Sequence, residues 1–142
     1  MPGEMFKLSK KEGIIVKFWS LPEDILGAYF RRGERSPVII LEEFLELKPR
    51  LLRCIFAEEL GHHFTTAFDL LAFARECQYM YMKYEKLALW WAAKYLLPWE
   101  KIKEAVYKGY ETEYDLARHF YVTERFVGTS LKLYREKGYL FF

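Results

Sequence analysis

The chain has 142 residues, 52% hydrophobic and 19% aromatic, enough to bury the core of one compact domain, or of one domain with a small helical annex. Its 22 Lys+Arg against 20 Asp+Glu leave a net charge of +2, too small by itself to imply a nucleic-acid ligand. No segment approaches the ~18 consecutive apolar residues of a membrane span, no N-terminal run joins a basic stretch to a long apolar one, and two cysteines, Cys54 and Cys77, suit a reducing cytoplasm.

Residues 1–12 are polar and Lys-rich, a loose start or a short helix. From Gly13 to Trp19 the run Ile14-Ile15-Val16 with Phe18 and Trp19 is β-branched and aromatic, which predicts a strand. Leu21-Pro22-Glu23-Asp24 turns the chain. Gly27 to Arg31 predicts a second strand, Arg32-Gly33-Glu34-Arg35-Ser36 a polar hairpin turn, and Pro37 to Leu41 a third strand. Helices follow from about residue 49. Strands first and helices after predict an α+β fold, with a small N-terminal three-stranded sheet packed on a helical bundle.

Pro49 suits the first turn of a helix whose apolar stripe is Leu51, Leu52, Ile55, Phe56 and Leu60. That helix ends in Ala57-Glu58-Glu59-Leu60-Gly61-His62-His63, a zinc-peptidase H-E-x-x-H pattern with glutamate at the first histidine. Glu58 and His62, four apart, share a helix face and can converge on one ion, with Glu59 at the general-base position. Glu59 and His63 are also four apart and face about 100° around the helix, so only one register can look into a site. In the bland reading these are solvated charges, with His63 paired to Glu59 or flanking the site. Cys54 lies on the apolar stripe and reads as a small core residue, in preference to a nucleophile paired with His62 or His63.

Thr65 and Thr66 end this helix, and the stretch from Leu70 to Tyr84 has no clear pattern. Its Tyr79-Met80-Tyr81-Met82 run reads as core in preference to a substrate groove. A helix from Glu85 to Leu97 is stopped by Pro98, and Ala88, Ala92 and Ala93 allow a neighbouring helix to come close. Glu85, beside Lys86, would by itself be an exposed helix charge. The last third, Glu111 to Phe120, Tyr121-Val122-Thr123 and Glu124 to Lys137, has a helix-turn-helix-like pattern. Leu116, Ala117, Phe120, Val122, Val127 and Leu131 are its packing positions, and Thr123 is a good cap for its second helix. Arg125, Thr129, Lys132 and Arg135 would face outward. From Arg118 to Phe142, five Lys/Arg oppose two Asp/Glu, a local +3 that could touch phosphates. The alternative is a helical pair that completes the core. His119 reads as a surface or half-buried structural residue, and Leu140-Phe141-Phe142 must pack somewhere or associate with another chain.

The segment Arg50 to His63 resembles the metal-binding helix of the ImmA/IrrE metallopeptidases, the IrrE N-terminal-like domain. Upstream, Gly13-Ile14-Ile15-Val16, Gly27-Ala28-Tyr29 and Pro37-Val38-Ile39-Ile40 match that family's short strands in order. Downstream, Glu85-Lys86-Leu87-Ala88 with Trp91-Ala92 and Leu96-Leu97-Pro98 matches its E-x-x-A-x-x-x-A helix. The resemblance implies a gluzincin-like site held by Glu58, His62 and Glu85 with Glu59 as base, zinc first among metals, and cleavage in the cytoplasm of repressors of phages and mobile elements or of stress regulators. It also implies that glutamate at position 58 is a subfamily trait. Two histidines and one glutamate would leave a divalent ion at +1, whereas this set leaves it near zero. The ion then acidifies its water less, and the harder donor set admits manganese or iron.

The sequence thus predicts a metallopeptidase-like domain over residues 1–98 and a helical extension over 99–142, packed as one unit. The expected function is metal-dependent endopeptidase, with two alternatives. One is a non-catalytic anti-repressor module on the same scaffold; the other is a DNA-binding regulator acting through residues 112–137 and Arg125, Lys132 and Arg135.

Overall fold

The computed structural model describes residues 2–66 and 78–139. It is α+β, with six helices and a three-stranded sheet among the described residues. The chain starts with helix α1 (Gly3–Lys11), so the N-terminus is a short helix and not a loose start. Gly13, at φ +71°, ends it: its N–H reaches the Lys10 carbonyl and that of Ile14 the Ser9 carbonyl, the double closure that a left-handed glycine permits.

Strands β1 (Ile15–Trp19), β2 (Gly27–Phe30) and β3 (Val38–Glu42) fall where β-branched and aromatic residues predict them. The order is β1-β3-β2, with β1 parallel and β2 antiparallel to β3. The polar turn between β2 and β3 closes on a hydrogen bond from the Arg35 N–H to the Arg32 carbonyl, with Gly33 at φ +53°. A 3-10 turn over Glu43–Leu47, which the sequence reading did not anticipate, follows directly. Glu42 organises it, accepting from the Phe44 N–H and also from the Leu21 N–H across the sheet end.

Helix α2 (Pro49–Thr65) is the centre of the fold. Leu52, Cys54, Phe56, Ala57, Leu60 and Gly61 are buried almost all around it, because it packs on β2 and β3 on one side and on α3 (Gln78–Leu96) on the other. Where α2 crosses α3, a Cβ on Gly61 would run into the Ala88 carbonyl and stand 3.0 Å from the Ala88 Cα, so glycine is required there. Ala88, Ala92 and Ala93 are all buried, as their small size predicts for a close crossing. Helix α3 starts earlier than the sequence suggests, and Tyr79 and Met82 on its first turns are 77% and 62% exposed, so that run is not core.

Helices α4 (Trp99–Tyr107), α5 (Glu113–Phe120) and α6 (Glu124–Glu136) complete the chain. Thr112 and Thr123 cap α5 and α6 by accepting from the Asp115 and Phe126 N–H groups. Leu116, Ala117, Val122 and Val127 are buried, with Phe120 and Leu131 packed against them, matching the expected packing positions. The pair is tied to the rest by Arg53 Nε donating to the Tyr121 carbonyl at 3.1 Å and by the buried Tyr134 hydroxyl donating to the Leu97 carbonyl at 2.8 Å. Cys77 and Leu140-Phe141-Phe142 lie outside the described residues.

Replacing Gly61 with alanine is expected to cost about 1–3 kcal/mol, the usual cost of overpacking where backbone must give way. Urea unfolding of Gly61→Ala beside the parent checks this, with Gly3→Ala, which meets nothing within 4 Å, as the control.

Candidate metal centre

The second half of α2 carries the candidate side chains, and the structure separates its two registers. His62 is 6% exposed, with Nε2 at 3.3 Å from Oε1 of Glu85 on α3. Glu58, one turn before it, lines with Glu85 a cavity of about 260 Å³ whose other wall is Thr129 and Lys132 of α6. His63 serves the scaffold. Its Nδ1 is 2.8 Å from the Tyr29 hydroxyl on β2, and its Nε2 is 3.0 Å from Glu12 after α1. A carboxylate only accepts, so Nε2 donates to Glu12, while Nδ1 pairs with the Tyr29 hydroxyl. Both ring nitrogens are therefore occupied without Glu59.

Glu59 is 8% exposed and lies against β2. A Cβ on Gly27 would stand 3.1 Å from both its Cγ and its Oε1, so the bare backbone of Gly27 makes the room in which this carboxyl sits. Burial pushes Glu59 up to about 8, with His62 pulling it down and the carboxyls of Glu85 and Glu58 adding to the rise. Glu58 is pushed up to about 7 by burial and then by Glu85, against the opposing charges of His62 and Arg125. Burial alone would depress His62, but its hydrogen bond to Glu85 and the surrounding carboxyls outweigh that and raise it. Burial likewise disfavours the Glu85 anion, but His62 and a hydrogen bond from Tyr81 hold it below the ordinary carboxylate value.

Tyr81, one turn before Glu85 on α3, is the site residue that sequence reasoning missed. Its hydroxyl is pushed up to about 12 by burial, by the charge of Glu85 and by the hydrogen bond to it. The only sequence signal is the four-residue spacing, which puts both on one helix face. The buried Cys54 has its thiol pushed up to about 11 by burial, which removes the thiolate a nucleophile would need. His119 is exposed, its ring tilted at 32° against Tyr110 with centroids 4.6 Å apart, a surface position as expected.

The donors suit a divalent ion in kind: two carboxylates and an imidazole beside a buried acid. Two ligands on a tetrahedral ion with bonds of about 2.0–2.1 Å stand roughly 3.3 Å apart, and His62 and Glu85 have that separation. Among the described residues, however, no group of three or more His, Cys, Asp or Glu side chains stands arranged to hold an ion. Among the described residues His62 Nδ1, which is buried, has no hydrogen-bond partner of the kind that usually orients a ligating histidine.

A glutamate pair on one helix, crossed by a second helix that brings Glu85 to His62, is the arrangement of a metallopeptidase-like helix pair. Over residues 10–132 its sequence matches the IrrE N-terminal-like domain of peptidase family M78, and the chain belongs to that family. No curated protein and no solved structure matches the chain. The match runs from the end of α1 into α6, so it takes in the helices that wall the cavity.

The raised carboxyls give the metal-free protein a definite pH response. Between the ordinary value of 4.5 and about 8, the folded state holds protons on Glu58 and Glu59 that the unfolded chain has released. Stability is therefore greatest at the acid end of that window and falls as pH rises through it; raised His62 acts in the same sense, whereas lowered Glu85 acts only below 4.5, where its contribution is lost as pH falls. With a chelator present, urea unfolding is expected to show a loss on the order of 3–5 kcal/mol from pH 5.5 to 8.5, reduced by about half in Glu59→Gln, where Glu58 and His62 still titrate.

Proposed function

We propose that the protein is a metal-dependent endopeptidase in which Glu58, His62 and Glu85 hold a divalent ion, zinc before manganese or iron, and Glu59 is the general base. The observation that carries this reading is the acid cluster itself, with Glu59 buried and Glu58 and Glu85 half-buried around it. Glu58, Glu59 and Glu85 crowd one histidine, and burial and mutual repulsion raise the first two far above the ordinary carboxylate value. A cation among them would relieve that cost.

When bound, such an ion polarises a carbonyl and acidifies water. The chain supplies the rest. Glu59, seated beside Gly27, takes a proton from the attacking water at its carboxylate and returns it to the leaving amine; a proton affinity near neutrality suits both transfers. Tyr81 and His62 orient Glu85 from two sides. Protein substrates follow from the family, and we assign repressors or regulators of phages and mobile elements, met in the cytoplasm. No helix of the described residues is long and apolar enough to cross a membrane. The helices after residue 98 act as part of the same unit, forming one wall of the cavity.

A non-catalytic interaction module is favoured by one observation, the absence of a three-donor group among the described residues. DNA reading through Arg125, Lys132 and Arg135 is less favoured, because Lys132 with Thr129 lines the carboxylate cavity.

Elemental analysis of untagged protein is expected to find about one zinc or manganese per chain in the parent and none in Glu85→Ala. Absence of metal in the parent, even after soaking, would transfer the reading to the interaction module. Glu59→Gln should keep its metal and lose hydrolysis of a co-purified repressor by about 10²–10⁴-fold. Glu58→His should bind zinc more tightly, measured by competition with a chromogenic chelator; unchanged affinity would remove Glu58 from the ligand set.

A further inference from the structure

A second cavity, of about 310 Å³, lies beside the carboxylate cavity and is lined by Lys83, Lys86, Leu87, Trp90, Glu136 and Lys137. Lys86 and Glu136 line both cavities, and their ion pair at 2.7 Å marks the common edge. The two therefore form one groove between α3 and the end of α6. Its floor is apolar, Leu87 and Trp90, and its rim is cationic. Lys94 and Lys137 approach the Trp90 ring at 4.9 and 5.8 Å. Lys83 and Lys132 are exposed and make no ion pair among the described residues. Apart from Glu58 and Glu85 at one end, four lysines, Lys83, Lys86, Lys132 and Lys137, oppose Glu136 alone.

We infer that this groove docks an acidic segment of a protein substrate, its carboxylates meeting Lys83, Lys86 and Lys137 while the adjoining residues run into the carboxylate cavity. The inference rests on the peptidase reading for its direction. Charge complementarity selects the occupant. The Lys86–Glu136 pair is solvent-exposed, with side chains 58% and 38% accessible, so an incoming carboxylate can exchange for Glu136 on Lys86 at little cost. A nucleic-acid strand fits less well. It carries a negative charge at every step and would be driven past Glu136, Glu58 and Glu85, whereas a peptide can place acids at the lysines and neutral residues at the glutamates.

The test uses the full chain and three fluorescein-labelled peptides of equal length, identical except for Glu, Gln or Lys at every third position. Binding is read by anisotropy, once with a chelator and once with zinc. The Glu peptide is expected to bind about tenfold tighter than the Gln peptide, an advantage that fades with salt, and Lys83→Glu/Lys137→Glu to remove it. Lys7→Glu/Lys17→Glu, with the same net charge, should leave it unchanged. Lys83→Gln/Lys137→Gln stands in if the reversal variant shows an altered circular-dichroism melt. Equal binding of the Glu and Gln peptides, or equal loss in the Lys7/Lys17 variant, would overturn the inference. Tighter binding of a single-stranded oligonucleotide through the same lysines would also overturn it, in favour of nucleic acid. Because cleavage is not read, a missing metal leaves this comparison intact, and a lost Glu preference leaves the metal count intact.

Discussion

The close crossing of α2 and α3 at Gly61 and Ala88 is the contact on which the rest depends. Without a side chain at Gly61, the backbone of one helix can meet the backbone of the other. His62, the next residue, then comes within 3.3 Å of Glu85, less than one turn before Ala88. The seam brings His62 to the carboxylate that raises its proton affinity against the effect of burial, whereas Glu59, seated against β2, is raised by burial itself. Packing and electrostatics are coupled here: a wider crossing would separate His62 from Glu85.

The second organising element is the division of labour between adjacent histidines. His62 faces α3, whereas His63 joins α2 to Tyr29 on β2 and to Glu12 after α1. That bridge fixes the rotation of α2 about its axis and therefore which register looks into the cavity. The acids are tolerated because their costs are spread over different partners. Glu59 has the bare backbone of Gly27 beside it, Glu58 the opposing charge of Arg125, and Glu85 both Tyr81 and His62.

Much of this was legible in the sequence. The β-branched and aromatic runs gave three strands close to their observed bounds, Pro49 gave the start of α2, and Thr123 obeyed capping chemistry. What escaped was tertiary. The spacing of Glu58, Glu59, His62 and His63 fits two registers, and only contacts to α3, β2 and α1 choose between them. The run Tyr79 to Met82 reads as core by composition, yet it sits on the outer turns of α3, where Tyr81 serves Glu85. The 3-10 turn after β3 depends on one carboxylate, Glu42, reaching across to Leu21, a long-range contact that no local pattern announces.

Helix α6 contributes a cavity wall without contributing to the α2–α3 seam, and this has an evolutionary consequence. Thr129 and Lys132 face the opening but take no part in the packing that holds His62 against Glu85. Residues at those two positions can change while the seam stays intact. Change at those two positions of α6 can therefore reshape the opening over many generations without disturbing the contact between His62 and Glu85.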